Sequence, residues 1–431
     1  MRYYSTRNTQ EAVSFADAAL RGLAADGGLF IPEELPRYSA AIQNSFASMN
    51  FLDLAFETIR PYVHPEIPDN VLEELVAGAF NFPVPLVQVG AHPVLELFHG
   101  PTAAFKDFGA RFMARAFAYL RRGASKPLKI LVATSGDTGG AVASGFLNVE
   151  GITVTVLYPK GGVSPLQEKQ IAGLGGAISA VAVEGTFDDC QRLVKAAFSH
   201  PGLRQKLDFS SANSINIARL IPQAVYYSTA VAALLNEAPR EKIVITVPSG
   251  NFGNLTAGLY AQAMGAPISR FIAATNINKT FPCYLETGLY EERPSVATIS
   301  NAMDVGSPSN FERMKTQWPL SEIRRLLASV FITDDATRAE IKRVFDATGY
   351  VLDPHGAVGH AAAALCAHQG VAGADKAIIL ETAHPAKFAA TVEPLTGPVP
   401  LPPQLAEAAA RTAVSTTIPV SNEALAALLA A

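Results

Sequence analysis

Beyond residue 125 the chain alternates short runs of β-branched and other apolar residues with Ala-rich stretches of helical length. The runs are KILVAT at 129–134, ITVTVLY at 152–158, AISAVAVE at 177–184, KIVITV at 242–247, RFIAAT at 270–275 and KAIILET at 376–382. Short apolar runs with little polar alternation suit strands buried on both faces, and the intervening helices supply the cover, so the pattern predicts an α/β fold with a largely parallel sheet. The first hundred residues differ: short helical pieces are punctuated by Gly27, Gly28, Pro32, Pro36, Pro61, Pro65 and Pro68, which predicts a separate, mostly helical N-terminal module over 1–95. Residues 126–205 hold three strand and helix units and predict a small mobile α/β lobe facing a larger lobe built from 96–125 and 206–431. The proline-rich stretch 394–403 predicts an extended surface crossing, and SNEALAALLA at 421–430 a capped closing helix.

Three of the predicted strands run into polar corners: TSGDTGG at 134–140, PSGNFGN at 248–254 and TAHPAK at 382–387. Ligands of open α/β sheets bind beyond the carboxyl ends of the strands, so these corners are candidate walls of one cleft. In the second corner Gly250, Asn251, Phe252, Gly253 and Asn254 precede an Ala-rich stretch. Glycine lets the main chain approach a ligand, and free N–H groups at a helix start cradle phosphate; an ordinary strand-to-helix turn uses the same residue types. Thr134, Ser135, Asp137 and Thr138 offer a second anion-friendly corner, in which Asp137 either caps its helix or contacts a ligand. SSANSINIARL at 210–220 places Asn213, Ser214 and Arg219 within about two helical turns, either as a clamp for an anionic group or as a surface helix start.

The densest signal is HGPTAAFKDFGARFMARAF at 99–117. Lys106 opens the predicted helix, where the helix dipole disfavours a cation. A solvated lysine paired with Asp107 is the ordinary reading. Phe105 and Phe108 bracket it with aromatic bulk, however, and in a packed corner desolvation favours the neutral amine, which can attack a carbonyl and carry protons.

Composition removes several classes. With 431 residues, 49% of them hydrophobic, the chain can bury a large core. A formal charge of −4 from 34 basic and 38 acidic residues lacks the basic excess of a nucleic-acid partner. The opening MRYYSTRNTQEAVSF does not resemble a secretion signal, and no apolar run reaches the roughly 18 residues of a membrane span. Cys190, Cys283 and Cys366, odd in number and widely spaced, fit buried thiols in a reducing cytoplasm. No histidine pattern matches a metal motif, G-x-x-G is not the dinucleotide fingerprint, no Walker lysine follows the glycines, and Ser249 lacks the G-x-S-x-G elbow. A lysine, anion-binding corners and an α/β cleft remain, a set suited to a phosphorylated aldehyde cofactor and an acidic substrate.

Segments spread over nearly the whole chain resemble the threonine synthase family, pyridoxal-phosphate enzymes of the tryptophan-synthase β-subunit fold type. They include YYSTRN, LAADGGLFIP, FHGPTAAFKDFGARF, ATSGDTGGAVA, PKGGVSPLQEKQI, SSANSINIARL, PSGNFGNLTAG, TISNAMDVGSPSNFER, LDPHGAVG and ETAHPAKF. The N-terminal module and the SNAMDVGSPSNFER segment are similar to the longer, microbial and fungal branch. The resemblance implies a two-lobed fold and a carbon–oxygen lyase acting on phosphate, which converts O-phospho-L-homoserine and water into L-threonine and phosphate. It implies that Lys106 bonds the cofactor pyridoxal 5'-phosphate, that residues 250–254 hold the cofactor phosphate, and that Thr382 meets the pyridine nitrogen. Thr134, Ser135, Asp137 and Thr138 would line the substrate carboxylate and cofactor ring edge, although many relatives of this fold carry Asn at the Asp137 position. Asn213, Ser214 and Arg219 would receive the substrate phosphate. Another pyridoxal-phosphate lyase of the same fold, such as a threonine or serine dehydratase, is the alternative; monomer and homodimer stay open.

Overall fold

The β-branched runs form strands, in two separate sheets. The structure is a computed structural model that describes residues 1–200, 202–203, 207–237 and 242–430. In chain order the strands are β1 (Tyr3–Ser5), β2 (Phe30–Pro32), β3 (Leu86–Val89), β4 (His92–Glu96), β5 (Leu128–Ala133), β6 (Ile152–Pro159), β7 (Ile178–Val183), β8 (Asp208–Ser211), β9 (Val244–Pro248), β10 (Arg270–Thr275), β11 (Leu327–Phe331), β12 (Ile378–Glu381) and β13 (Thr416–Ile418). One sheet has the order β11-β10-β9-β12-β4-β3, parallel throughout except for the edge hairpin β3–β4. The other has the order β13-β7-β6-β5-β8, all parallel. Interior strands such as β9 are buried at every position, as their unbroken apolar runs require.

Residues 126–205 supply the three inner strands of the five-stranded sheet. Its edges come from outside that interval: β8 follows the 205/206 boundary, which itself lies outside the described residues, and β13 returns from the C-terminus. Both are short, with little of the long apolar run that marks a central strand. The helix Asn422–Ala430 packs beneath this sheet through Leu425 and Leu429. The predicted extended crossing begins later than expected, because Pro394 lies inside the helix Ala389–Thr396 and Pro403 opens the next one.

The N-terminal module buries Leu54, Ile59, Tyr62, Leu72 and Val76 against the main core. It also contributes the small antiparallel pair β1–β2, which the sequence pattern does not anticipate. Among the described residues no helix is long and apolar enough to cross a membrane.

Candidate active site

The carboxyl ends of β5, β8, β9 and β12 open onto one cavity of about 240 Å³. Lys106, Asp137 and Thr382 line it, as do all five residues of the 250–254 corner. So do Thr134, Ser135 and Thr138 from the β5 corner, and Asn213, Ser214 and Arg219 from the segment after β8. Every predicted site residue is therefore brought together.

Lys106 is the first residue of the helix Lys106–Leu120. The helix is seated by Phe108, whose buried ring meets Phe80, Phe82 and Tyr226 at 5.0–5.7 Å. Gly109 is required there, since a Cβ would lie 2.5 Å from the Arg219 carbonyl oxygen. Asp107 does not pair with Lys106. Its carboxylate accepts from the Thr102 amide at 2.9 Å and the Thr102 hydroxyl at 2.7 Å, tying down the turn before the helix. Lys106 Nζ instead lies 5.3 Å from the Phe105 ring centroid. Burial pushes its amine down to about 8; Asp137 pulls the other way, and Lys387 and Arg219 lower it further.

In the β5 corner, Gly136 has φ 144°, and a Cβ there would lie 2.5 Å from the Gln167 amide. That close approach seats Asp137, first residue of the helix Asp137–Phe146, under Gln167 Nε2 at 2.9 Å and Lys387 Nζ at 2.6 Å. Burial alone would raise the Asp137 carboxyl; Lys387 and then Lys106 outweigh it and hold it below the ordinary carboxylate range. The Thr134 hydroxyl accepts from the Gly136 and Gly139 amides, both at 2.9 Å, and donates to the Gly136 carbonyl at 3.1 Å. Its hydroxyl is thus engaged by the turn, while the residue keeps its place in the cavity wall.

The β9 corner turns through Phe252, held at φ 60° with its buried ring 4.5 Å from Phe281. A left-handed non-glycine residue is strained, and here it starts the helix Gly253–Met264, which no side chain caps. The first-turn amides of Gly253, Asn254 and Leu255 have no partner within the helix. Asn254 Oδ1 accepts from the Tyr226 and Tyr227 hydroxyls at 2.6 Å each, while its buried Nδ2 has no partner. Asn251 Nδ2 donates to Ser214 Oγ and its Oδ1 accepts from the Ser309 amide, both at 2.6 Å, so the corner is braced by the 210–220 segment and by the 300–313 loop.

Arg219 is wedged rather than displayed. It is 2% exposed, its Nη1 donates to the Ala212 carbonyl at 2.5 Å, and its Nε is buried without a partner. Asn213 Nδ2 donates to the Ala133 carbonyl at 2.9 Å, joining the two corners.

Sequence reasoning missed Lys387, Gln167 and His355. His355 Nε2 accepts from the Ala302 amide at 3.3 Å, so Nδ1 carries the proton and donates to Asp353 at 2.5 Å. Lys387 lies within the TAHPAK corner, but nothing in one sequence points it at Asp137. Among the described residues no group of three or more His, Cys, Asp or Glu is arranged to hold a metal ion.

A family model described as pyridoxal-phosphate dependent enzyme matches residues 87–382, which carry the cavity and the strands of the two larger sheets apart from β13. The fold and the site thus define a pyridoxal-phosphate dependent enzyme. Models described as threonine synthase N terminus and threonine synthase, C-terminal match residues 2–80 and 356–428. The threonine synthase of Escherichia coli K12 is 43% identical over 432 residues, covering 99% of this chain and 98% of that protein. The crystal structure of the Escherichia coli threonine synthase superposes with a TM-score of 0.92 at 41% identity, covering 100% of this chain and 99% of that one. A pyridoxal-phosphate-bound threonine synthase from Brucella melitensis gives 0.91 at 37% identity, covering 100% and 98%. A threonine deaminase from Solanum lycopersicum, 16% identical with a TM-score of 0.55 over 82% of this chain and 88% of that one, shares the fold alone. The chain belongs to the threonine synthase family.

Its cofactor is pyridoxal phosphate, and the residues present fit that group. The cavity offers a half-buried lysine without an ion pair, an uncapped helix start for a phosphate, and the unpartnered Asn254 Nδ2 beside it.

Proposed function

We propose that the chain converts O-phospho-L-homoserine and water into L-threonine and phosphate, with Lys106 carrying the cofactor. The observation that supports this best is the Lys106 amine, buried enough to sit near 8 and facing a cavity walled by two separate anion-binding segments. The 250–254 corner holds the cofactor phosphate through main-chain donors. The Thr382 hydroxyl would meet the pyridine nitrogen, and Ser135, Asp137 and Thr138 would line the ring edge and the substrate carboxylate. Bound there, pyridoxal phosphate supplies the electron sink that stabilises charge left on a substrate carbon. Lys106 Nζ takes and returns protons at the substrate's carbons, a task suited to an amine titrating near the working pH. Asn213, Ser214 and Arg219 receive the departing phosphate, Arg219 through Nη2. The interval 126–205, extended by β8 and β13, closes over the substrate and limits stray water. The three free cysteines accord with a cytoplasmic setting.

The test has two parts. Borohydride reduction of the holoenzyme followed by peptide mapping places the pyridoxyl adduct on Lys106; an adduct on another lysine overturns that assignment. Turnover of O-phosphohomoserine then releases threonine and phosphate in equal amounts. Stoichiometric 2-oxobutyrate and ammonia without threonine would assign the dehydratase chemistry instead.

A further inference from the structure

With side-chain exposures of 0% and 4%, Lys387 and Asp137 form the most deeply buried ion pair of a lysine or arginine among the described residues. Asp137 follows β5 of the five-stranded sheet, and Lys387 follows β12 of the six-stranded one, in the turn Pro385–Phe388. The pair therefore spans the seam between the lobes. Lys387 Nζ also donates to the Thr102 carbonyl at 2.9 Å, and Gln170 Nε2 donates to the same oxygen at 3.0 Å. Both cationic and amide donors reach Asp137 at Oδ1, while Oδ2 has no hydrogen bond among the described residues and belongs to a residue that lines the cavity.

A buried ion pair is a poor way to gain stability, because desolvating two charges offsets most of their attraction and apolar residues would join the lobes as well. The charges point to a task in the site. The charged groups acting on Lys106 are Asp137, Lys387, Arg219 and Asp353; those acting on Asp137 are Lys387 and Lys106. Asp137 would be the natural partner of the Lys106 ammonium if Lys387 did not already hold it.

We propose that Lys387 is a positioning residue: by binding Asp137 Oδ1 across the seam it keeps that carboxylate paired with a second cation, so that the Lys106 amine stays unpaired and free to react. The proposal rests on the reading that Lys106 carries the cofactor. It reaches beyond that reading, because Lys387 does not itself line the cavity and meets it only through Asp137.

The experiment records the visible absorption of the holoenzyme against pH, from about pH 6 to about pH 10, for the wild type, Lys387→Met and Lys387→Arg. Loss of the Lys387 charge frees the Asp137 carboxylate to stabilise the protonated form at Lys106 and removes a repelling cation; both effects raise the spectral midpoint, by at least about one pH unit. Lys387→Arg, which keeps the charge, returns the midpoint close to the wild-type value. A purely structural role would lower the thermal midpoint and leave the spectral one in place. An unmoved or lowered spectral midpoint in Lys387→Met overturns the proposal, as does an equal shift in Lys387→Arg. If the methionine variant does not fold, Lys387→Gln keeps a donor for the Thr102 carbonyl without the charge and is read in the same way. Borohydride mapping of the wild type separates the two ideas. An adduct elsewhere counts against Lys106, whereas an adduct on Lys106 with an unmoved midpoint counts against Lys387 alone.

Discussion

Gly250 offers a steric test of the phosphate corner. A Cβ at this position would lie 2.8 Å from the Ala302 carbonyl oxygen and 2.8 Å from Met303 Cα. Both are backbone atoms, so no side chain can rotate aside, and relief requires the turn Asn301–Met303 to retreat. That turn is anchored on both sides: the Ala302 amide donates to His355, and Asp304 accepts from the Thr298 hydroxyl at 2.7 Å and Asn276 at 2.8 Å. Overpacking of this kind costs about 1–3 kcal/mol. If the strain falls on the bound state, Gly250→Ala weakens cofactor binding roughly 5- to 150-fold, because about 1.4 kcal/mol is a factor of ten. The assay is equilibrium titration of the apoprotein with pyridoxal phosphate, followed by the visible band, beside thermal unfolding of the same apoprotein. A dissociation constant within about twofold of wild type, with an unchanged apoprotein melt, would refute both the steric reasoning and the assignment of this corner to the phosphate.

The remaining predictions concern charge. Because burial holds the Lys106 amine at about 8, recombination of the apoprotein with pyridoxal phosphate accelerates as pH rises through about 8 and levels above it; a midpoint near 10.5, the ordinary lysine value, in stopped-flow absorbance would contradict this. Arg219→Lys keeps the cation but cannot hold the Ala212 carbonyl and reach the phosphate at once as the guanidinium does, so kcat/KM for O-phosphohomoserine falls roughly ten- to a hundredfold at full cofactor occupancy; Arg219→Ala lowers the thermal midpoint too, because the Ala212 carbonyl loses its donor. Burial, and then Asp353, hold the Glu381 carboxyl well above its ordinary 4.5. Stability from this raised group is fully present below about pH 4.5 and is lost as pH climbs toward the folded value. Glu381→Gln removes that dependence and exceeds the wild type by up to about 3 kcal/mol near pH 7, with little difference near pH 5; parallel denaturant-melt profiles for the two proteins would rule it out.

The inner strands and the glycine corners were legible because each rests on a local signal. RFIAAT coincides with β10, and the other five predicted runs overlap their strands to within a few residues. Lys106 could be singled out for its position before a helix and between two phenylalanines. What stayed hidden depends on pairing across the fold. β8 and β13 are short edge strands whose place is set by the sheet they join, and β3–β4 lies in a stretch broken by Pro85 and Pro93. The role of the Thr134 hydroxyl could not be read from TSGDTGG, since a threonine that closes a turn and one that faces a ligand look alike in sequence. The Lys387–Asp137 contact joins residues 250 positions apart, on different sheets, with no periodicity to link them.

That contact also explains how an acid can stand where anions must bind. Lys106, Asp137 and Gly253 are each the first residue of a helix, and all three line the same cavity. Three positive helix ends therefore converge on one small volume, a field suited to a phosphorylated cofactor and a substrate with its own phosphate. The same field disfavours an ammonium at Lys106 and favours a carboxylate at Asp137. Left alone, Asp137 would repel the anionic ligands and attract the Lys106 proton. Lys387, inserted from behind at 2.6 Å, neutralises it without occupying ligand space, so the acid keeps an open Oδ2 for a hydrogen bond while the net field stays positive. A lysine approaching from the cavity side would satisfy the same charge balance but block the ligand.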